Sequence, residues 1–110
     1  MNCTLTIDDV IRIVQNSDND HIEVIGRLKN ELFIIENNIT LPKAFDFIRT
    51  LTKSDLYAGP LNDDNPNREY PVWIFKKEGF GCLCYIKLKI INKETKVIVI
   101  SLHKDEERDA

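Results

Sequence analysis

The stretch CYIKLKII, residues 84–91, alternates at strand period. Cys84, Ile86, Leu88 and Ile90 fall on one face, and Tyr85, Lys87, Lys89 and Ile91 on the other. Farther on, VIVISLHK places Ser101 and His103 in one parity class and Ile98, Ile100 and Leu102 in the other. A phenol, an imidazole and ammonium groups gathered on one wet face can cut RNA. RNA carries its own nucleophile, the 2′-hydroxyl beside each phosphate. Cleavage then needs a base for that hydroxyl, an acid for the departing 5′-oxygen and cations for the charge growing on phosphorus. Histidine as a residue type changes charge near neutrality, so His103 can serve as base or acid. Lys87 can act as a point charge on the phosphate. Tyr85 can donate to a phosphate oxygen, transfer a proton or stack on a base. Tyr, Lys, Ser and His are also ordinary residues for the solvated face of a sheet, and pattern alone favours that plainer reading.

Whether these groups meet depends on register. Opposed residues in an antiparallel pair share a face. A two- or four-residue turn would set Ile98, Ile100 and Leu102 against Lys89, Lys87 and Tyr85. An odd turn of three or five residues around Lys93–Thr95 instead pairs Ile90 with Ile98, Leu88 with Ile100 and Ile86 with Leu102. Burying each such side chain is worth about 1.5–3 kcal/mol, so the odd turn is the expectation. It places Tyr85 opposite His103 and Lys87 opposite Ser101.

Other residues extend the candidate site. Trp73 and Phe75 alternate in VWIFK with Lys77 following, and aromatics beside cations suit single-stranded RNA. Burial energetics favour Trp73 as a core anchor all the same. Tyr57 either reaches substrate or packs down its loop. Lys89, Ser101 and Lys104 complete the substrate-binding set. Lys29, in RLKN, reads as a solvated helix residue, and His21 carries no assignment.

The elements that must position these groups divide the chain in two. Thr6, with Asp9 as its capping-box partner, opens a helix whose apolar positions are Ile7, Val10, Ile11 and Val14. QNSDND (15–20) ends it, and HIEVIG (21–26) reads as a brief strand. RLKNELFIIENN (27–38) reads as a helix through Leu28, Leu32 and Ile35. Thr40 caps a third helix, with Pro42 in its first turn and Leu41, Ala44, Phe45, Ile48 and Leu51 as its stripe. Residues 53–71, punctuated by Gly59, Pro60, Pro66 and Pro71, read as a long loop. Residues 72–104 read as strands joined in hairpins, and 105–110 as an acidic tail. The expected fold is α+β, a single domain of N-terminal helices (within 1–52) packed on a C-terminal antiparallel β-sheet.

The 110 residues hold 43% hydrophobic and 30% charged residues, enough for one modest core. No apolar run approaches the roughly 20 residues of a membrane helix, and the start lacks the pattern of a secretory signal, so a cytoplasmic protein with no membrane partner is expected. Cys3, Cys82 and Cys84 are an odd set, which argues against a disulfide framework. Cys82 and Cys84 read as small buried hydrophobes. A zinc site needs four ligands, and only two distant histidines could join them, so no metal and no cofactor are expected. The net charge of −3 conceals an asymmetry: residues 71–104 hold seven lysines against two glutamates. Local field rather than total charge recruits a polyanion.

LTKSDLYAGP, VWIFKK, YIKLKI and VIVISLHKDE, in that order, resemble the toxins of the motility quorum-sensing regulator (MqsR) family, and RLKN and the helix after Thr40 also fit. The resemblance covers most of the chain and is best over 51–104. It implies a fold like that of RelE-type endoribonucleases and the toxin role in a type II toxin–antitoxin system: metal-independent cleavage of mRNA and growth arrest. It also implies a neutralising antitoxin with a zinc-binding domain and a helix-turn-helix, through which operator DNA is bound. Ribosome dependence is left open. The family's site tyrosine and lysine match Tyr85 and Lys87, and its basic position closing the last strand matches His103. Two positions depart: Ala58 and Ile74 stand where the best-known branch has a lysine and a glutamine. Two rival classes remain, a non-catalytic RNA- or protein-binding module on the basic face and a protein-interaction domain using the acidic N-terminal half.

Overall fold

In a computed structural model describing residues 5–62, 70–91 and 96–106, the chain is α+β, with three α-helices and a five-stranded, mostly antiparallel sheet. Thr6 caps α1 (Ile7–Asn16) through a complete capping box: its hydroxyl accepts from Asp9 N at 3.2 Å, and Asp9 Oδ2 accepts from Thr6 N at 3.0 Å. After a 3₁₀ turn at Asn19–His21 comes β1 (Ile22–Val24), then α2 (Leu28–Glu36). α3 (Leu41–Arg49) starts at Thr40, whose hydroxyl accepts from Lys43 N, with Pro42 in the first turn. No described helix is long and apolar enough to cross a membrane.

The expected loop over 53–71 is in part ordered structure. Lys53–Asp55 forms a 3₁₀ turn and Leu56–Leu61 forms β2. Gly59 and Pro60 demote this segment as a strand on sequence grounds, yet β2 lies at the sheet's edge, where a residue without an N–H is tolerated. Residues 63–69 of that expected loop lie outside the described residues. β3 (Val72–Gly79) and β4 (Cys82–Ile91) are joined by Phe80 and Gly81, both at positive φ (53° and 80°), as a tight two-residue turn requires. β5 (Lys96–Lys104) follows, and the strand order is β1-β5-β4-β3-β2. Only β1 on β5 is parallel.

The β4–β5 ladder differs from the expected one. Ile91 pairs with Lys96, leaving residues 92–95 between them, so the span is even rather than odd. Leu88 pairs with Val99 and Ile90 with Val97, in place of Ile100 and Ile98. A β-bulge between the Lys87 and Leu88 pairs then restores Ile86 to Leu102, Lys87 to Ser101 and Tyr85 to His103. Burial explains the choice. The bulge lets Val97, Val99 and Leu102 all face the core, each fully buried, although the two valines and Leu102 differ in sequence parity.

The helix at 27–38 presents a different face from the expected one. Leu28 and Ile35 are 71% and 70% exposed and Leu32 is 44% exposed, whereas Asn30 and Phe33 are buried. The cause lies on β5. β1 stops at Val24, and Ile25 N makes a last bond to Val99 O. Asn30 then takes over the edge of β5. Its Nδ2 donates to Ile25 O (2.9 Å) and Ile100 O (3.0 Å), and its Oδ1 accepts from Leu102 N (2.9 Å). Unpaired backbone groups in a buried place are costly, and this one amide side chain bonds three backbone groups, of which Leu102 N has no other partner among the described residues. Phe33, on the same face, meets Phe80 edge-to-face at 6.0 Å.

The core lies between the helices and one sheet face. Val10 and Val14 of α1, Phe33 of α2, and Ala44, Phe45 and Ile48 of α3 pack with Trp73, Phe75, Ile86, Leu88, Val97 and Val99. The opposite face of β3, β4 and β5 carries Lys76, Tyr85, Lys87, Ser101 and His103.

Candidate active site

Two cross-strand rows define this face. The first runs Lys76, Tyr85, His103 across β3, β4 and β5, and the second runs Ile74, Lys87, Ser101. Their order follows from the Phe80–Gly81 turn on one side of β4 and the bulge on the other. In the first row the rings of Tyr85 and His103 stack, with centroids 5.4 Å apart and planes 20° from parallel. His103 Nδ1 lies 2.9 Å from Lys104 O. A carbonyl only accepts, so this bond puts the hydrogen on Nδ1 and leaves Nε2 with the lone pair in the neutral ring. Burial pushes the Tyr85 phenol up, the Lys76 ammonium pulls it the other way, and the Asp105 carboxylate adds to the rise. Tyr85 is therefore a protonated donor at neutral pH.

Lys76 sits under two constraints. Its Nζ is 3.2 Å from Asp105 Oδ2, both side chains being largely buried, and it lies 3.8 Å from the centroid of the Tyr57 ring. β2 thus brings Tyr57 to the site, as the ring that covers Lys76. In the second row Lys87 makes no ion pair with any described residue. Ser101 is buried, and its hydroxyl accepts from Arg27 Nη1 at 3.3 Å; the same nitrogen reaches Ile100 O at 3.4 Å. Arg27 likewise has no carboxylate partner among the described residues. Two cations without counter-ions therefore flank one buried serine.

Beside this row lies a cleft of about 290 Å³ lined by Arg27, Leu28, Lys29, Asn30, Ser101 and His103. α2 begins here, with Arg27 at the cap position and no side-chain cap bond.

Four expected site residues stand elsewhere. Trp73 is 2% exposed and anchors the core on the opposite face. Lys77 shares that parity and is 3.7 Å from Asp55, so it closes the end of the core instead of joining the site. Lys104 pairs with Cys84 and projects away from the site face, so its carbonyl, not its ammonium, serves the site. Lys89 shares the face of Lys87 but is 7% exposed beside Ile98, too buried to meet a polymer. Tyr85, Lys87, His103, Tyr57 and Ser101 are brought together.

Three participants escaped the sequence reading. Lys76 was open to inference, because a two-residue Phe80–Gly81 turn fixes Lys76 opposite Tyr85. Asp105 and Arg27 left no such signal. One reaches the site through an ion pair and the other across 74 residues of sequence. Cys84 is not a nucleophile of this site. Cys84 is fully buried, and its thiol is pushed up to about 12 by that burial and then by Cys82, whose sulfur is 4.0 Å away. Among the described residues no three His, Cys, Asp or Glu side chains cluster as a metal site. No family model matches the chain, and no curated protein matches it.

Proposed function

We propose that the chain is an endoribonuclease of the RelE/MqsR type, acting as the toxin of a type II toxin–antitoxin pair in the cytoplasm. The observation that carries this reading is the Tyr85–His103 stack flanked by Lys87 and Arg27, cations with no carboxylate partner among the described residues. The α+β architecture and the sequence resemblance are compatible with it.

The groups on this face suffice for transfer to the 2′-oxygen. His103 Nε2 removes the 2′-hydroxyl proton as that oxygen attacks phosphorus. Lys87 and Arg27 stabilise the charge on the non-bridging oxygens. The bond to the 5′-oxygen breaks, and the Tyr85 phenol gives its proton to that oxygen, with the Lys76 ammonium beside the resulting phenolate. The products are a 2′,3′-cyclic phosphate and a free 5′-hydroxyl. Nothing in this route calls for a metal, and DNA, lacking the 2′-hydroxyl, is not cut. Ala58 and Ile74 remove two side chains the better-known branch uses, and Arg27 is placed to supply charge in their stead.

A toxin of this kind requires an antitoxin, and the exposed stripe of Leu28, Leu32 and Ile35 on α2 offers a protein partner apolar surface next to the site. The test is twofold. Purified chain in excess chelator should convert a long mRNA into fragments ending in cyclic phosphate, and induction should arrest growth. Tyr85→Phe and His103→Ala should each lower cleavage by about 10²–10⁴-fold, the usual weight of a proton-transfer group. Intact RNA and normal growth on induction would refute the proposal.

A further inference from the structure

We infer that the cleft between the start of α2 and β5 is a second phosphate subsite, which holds the phosphate next to the scissile one and whose resident anion, Glu106, the nucleic acid displaces. This rests on reading the Tyr85–His103 face as a site for RNA. Its own warrant is separate.

The cleft has the composition of an anion site. Arg27 and Lys29 stand on its α2 side and His103 on its β5 side. Among the described residues Arg27 is oriented by two neutral acceptors, Ile100 O and Ser101 Oγ. A guanidinium held this way keeps its charge available and its direction fixed. Leu28, Lys29 and Asn30 are the first three residues of α2, and no side chain caps that end. Their N–H groups point where the helix dipole is positive.

The second observation is the chain's own carboxylate. Glu106 Oε1 lies 2.6 Å from Lys29 Nζ, joining the residue after Asp105 to the start of α2. An acid has already been drawn to this cation. It is a displaceable one, because Lys29 and Glu106 are 62% and 60% exposed, and exposed pairs are weak. Asp105, one residue earlier, holds the largely buried Lys76 and acts as the fixed end. The chain past His103 therefore presents one retained and one exchangeable carboxylate, the latter standing where a phosphate would bind.

A single-stranded 12-mer of 2′-deoxy sequence separates this subsite from catalysis, because it binds and cannot be cleaved. Its affinity is measured by fluorescence anisotropy across a salt series on the full chain. Lys29→Gln should weaken binding about fivefold near ~0.1 M salt and reduce the log–log salt slope by about 0.7, the value of one phosphate contact on a single strand. Glu106→Gln should act in the opposite direction, tightening binding by a similar factor. Both side chains are mostly in water, so neither change disturbs the core. Backbone amide resonances of residues 28–30 should shift on titration of wild-type chain with the same oligomer. Affinity and slope unaltered in both variants, unshifted amides, or no binding by wild type would each overturn the subsite. If the variants behave as stated while an RNA of the same sequence stays intact, the subsite stands and the nuclease reading falls.

Discussion

Tyr85 and Cys84 are neighbours in sequence on opposite faces of one strand, and burial raises both. For Tyr85 the result is a phenol kept protonated beside the His103 imidazole, as the proposed proton transfer requires. For Cys84 it is a stability effect whose sign can be worked out. The unfolded thiol titrates near 9.0, and the folded one is pushed up to about 12. Between those values the unfolded chain binds fewer protons than the folded chain, so stability falls as pH rises. Below pH 9 both states carry the proton and the group contributes no slope. Wild type should therefore lose more unfolding free energy between pH 8 and pH 10.5 than Cys84→Ala does, by urea titration at each pH. Equal losses would place the thiol in water. At this scale the sequence was informative wherever parity decided an outcome. Tyr85, Lys87, Ser101 and His103 share a face because strand periodicity puts them there. Arg27 was not legible, since no local pattern ties the start of a helix to a serine on the last strand.

At the scale of elements, the pairing of Tyr85 with His103 came from an argument half of which the structure replaces. An odd turn with a regular ladder and an even span with one bulge give the same pairs beyond the bulge. Both shift β5 by one residue relative to an even turn without a bulge. Hydrophobic pattern fixed the parity at the far end, through Ile86 and Leu102, but could not say where the extra residue sits. The bulge sits at Ile100 because Asn30 and Arg27 are there to accept its misaligned edge. α2 was read on the wrong face for the same reason: an apolar count ranks Leu28, Leu32 and Ile35 above Asn30, although Asn30 bonds three backbone groups. Asn30→Leu should therefore destabilise the fold in spite of its added apolar area. Ile25 O still accepts from Arg27 N and Ile100 O from Arg27 Nη1, so the substitution strands Leu102 N; a backbone group left unpaired in a buried place costs about 1–3 kcal/mol, and a loss of that order is expected as a lowered urea midpoint. An unchanged midpoint would mean that water reaches this edge. β2 shows the complementary case. Gly59 at φ 138° lies against Trp73, where an added Cβ would approach the Trp73 Cα within 3.1 Å, so a residue that looks like loop punctuation is a packing requirement of an edge strand.

For the whole molecule, the field matters more than the sum of charges. The chain carries −3 overall, which taken alone argues against a polyanion partner. The fold separates the signs. α1 and α3 cover the face opposite the site, and their acidic groups, Asp8, Asp9 and Asp46, ride on that layer. All three are paired, with Lys53, Arg12 and Arg49 respectively. On the site face Lys87 and Arg27 have no counter-ion among the described residues, and Lys29 holds an exposed one. Binding of single-stranded RNA should thus release counter-ions from about three phosphates, giving a log–log slope of affinity against salt near −2. The measurement is anisotropy with a non-cleavable strand between 50 and 300 mM salt, ranges set by the usual screening length of about 10 Å at 0.1 M. A slope near zero would mean that stacking on Tyr57 and Tyr85 dominates and that these cations serve the fold. Substituting acidic residues of the helical layer, such as Asp46→Asn, should leave the slope unchanged, because those charges lie across the sheet from the bound strand. That contrast separates a local field from a net-charge effect, since both kinds of substitution alter the total by one unit and only those on the site face should register.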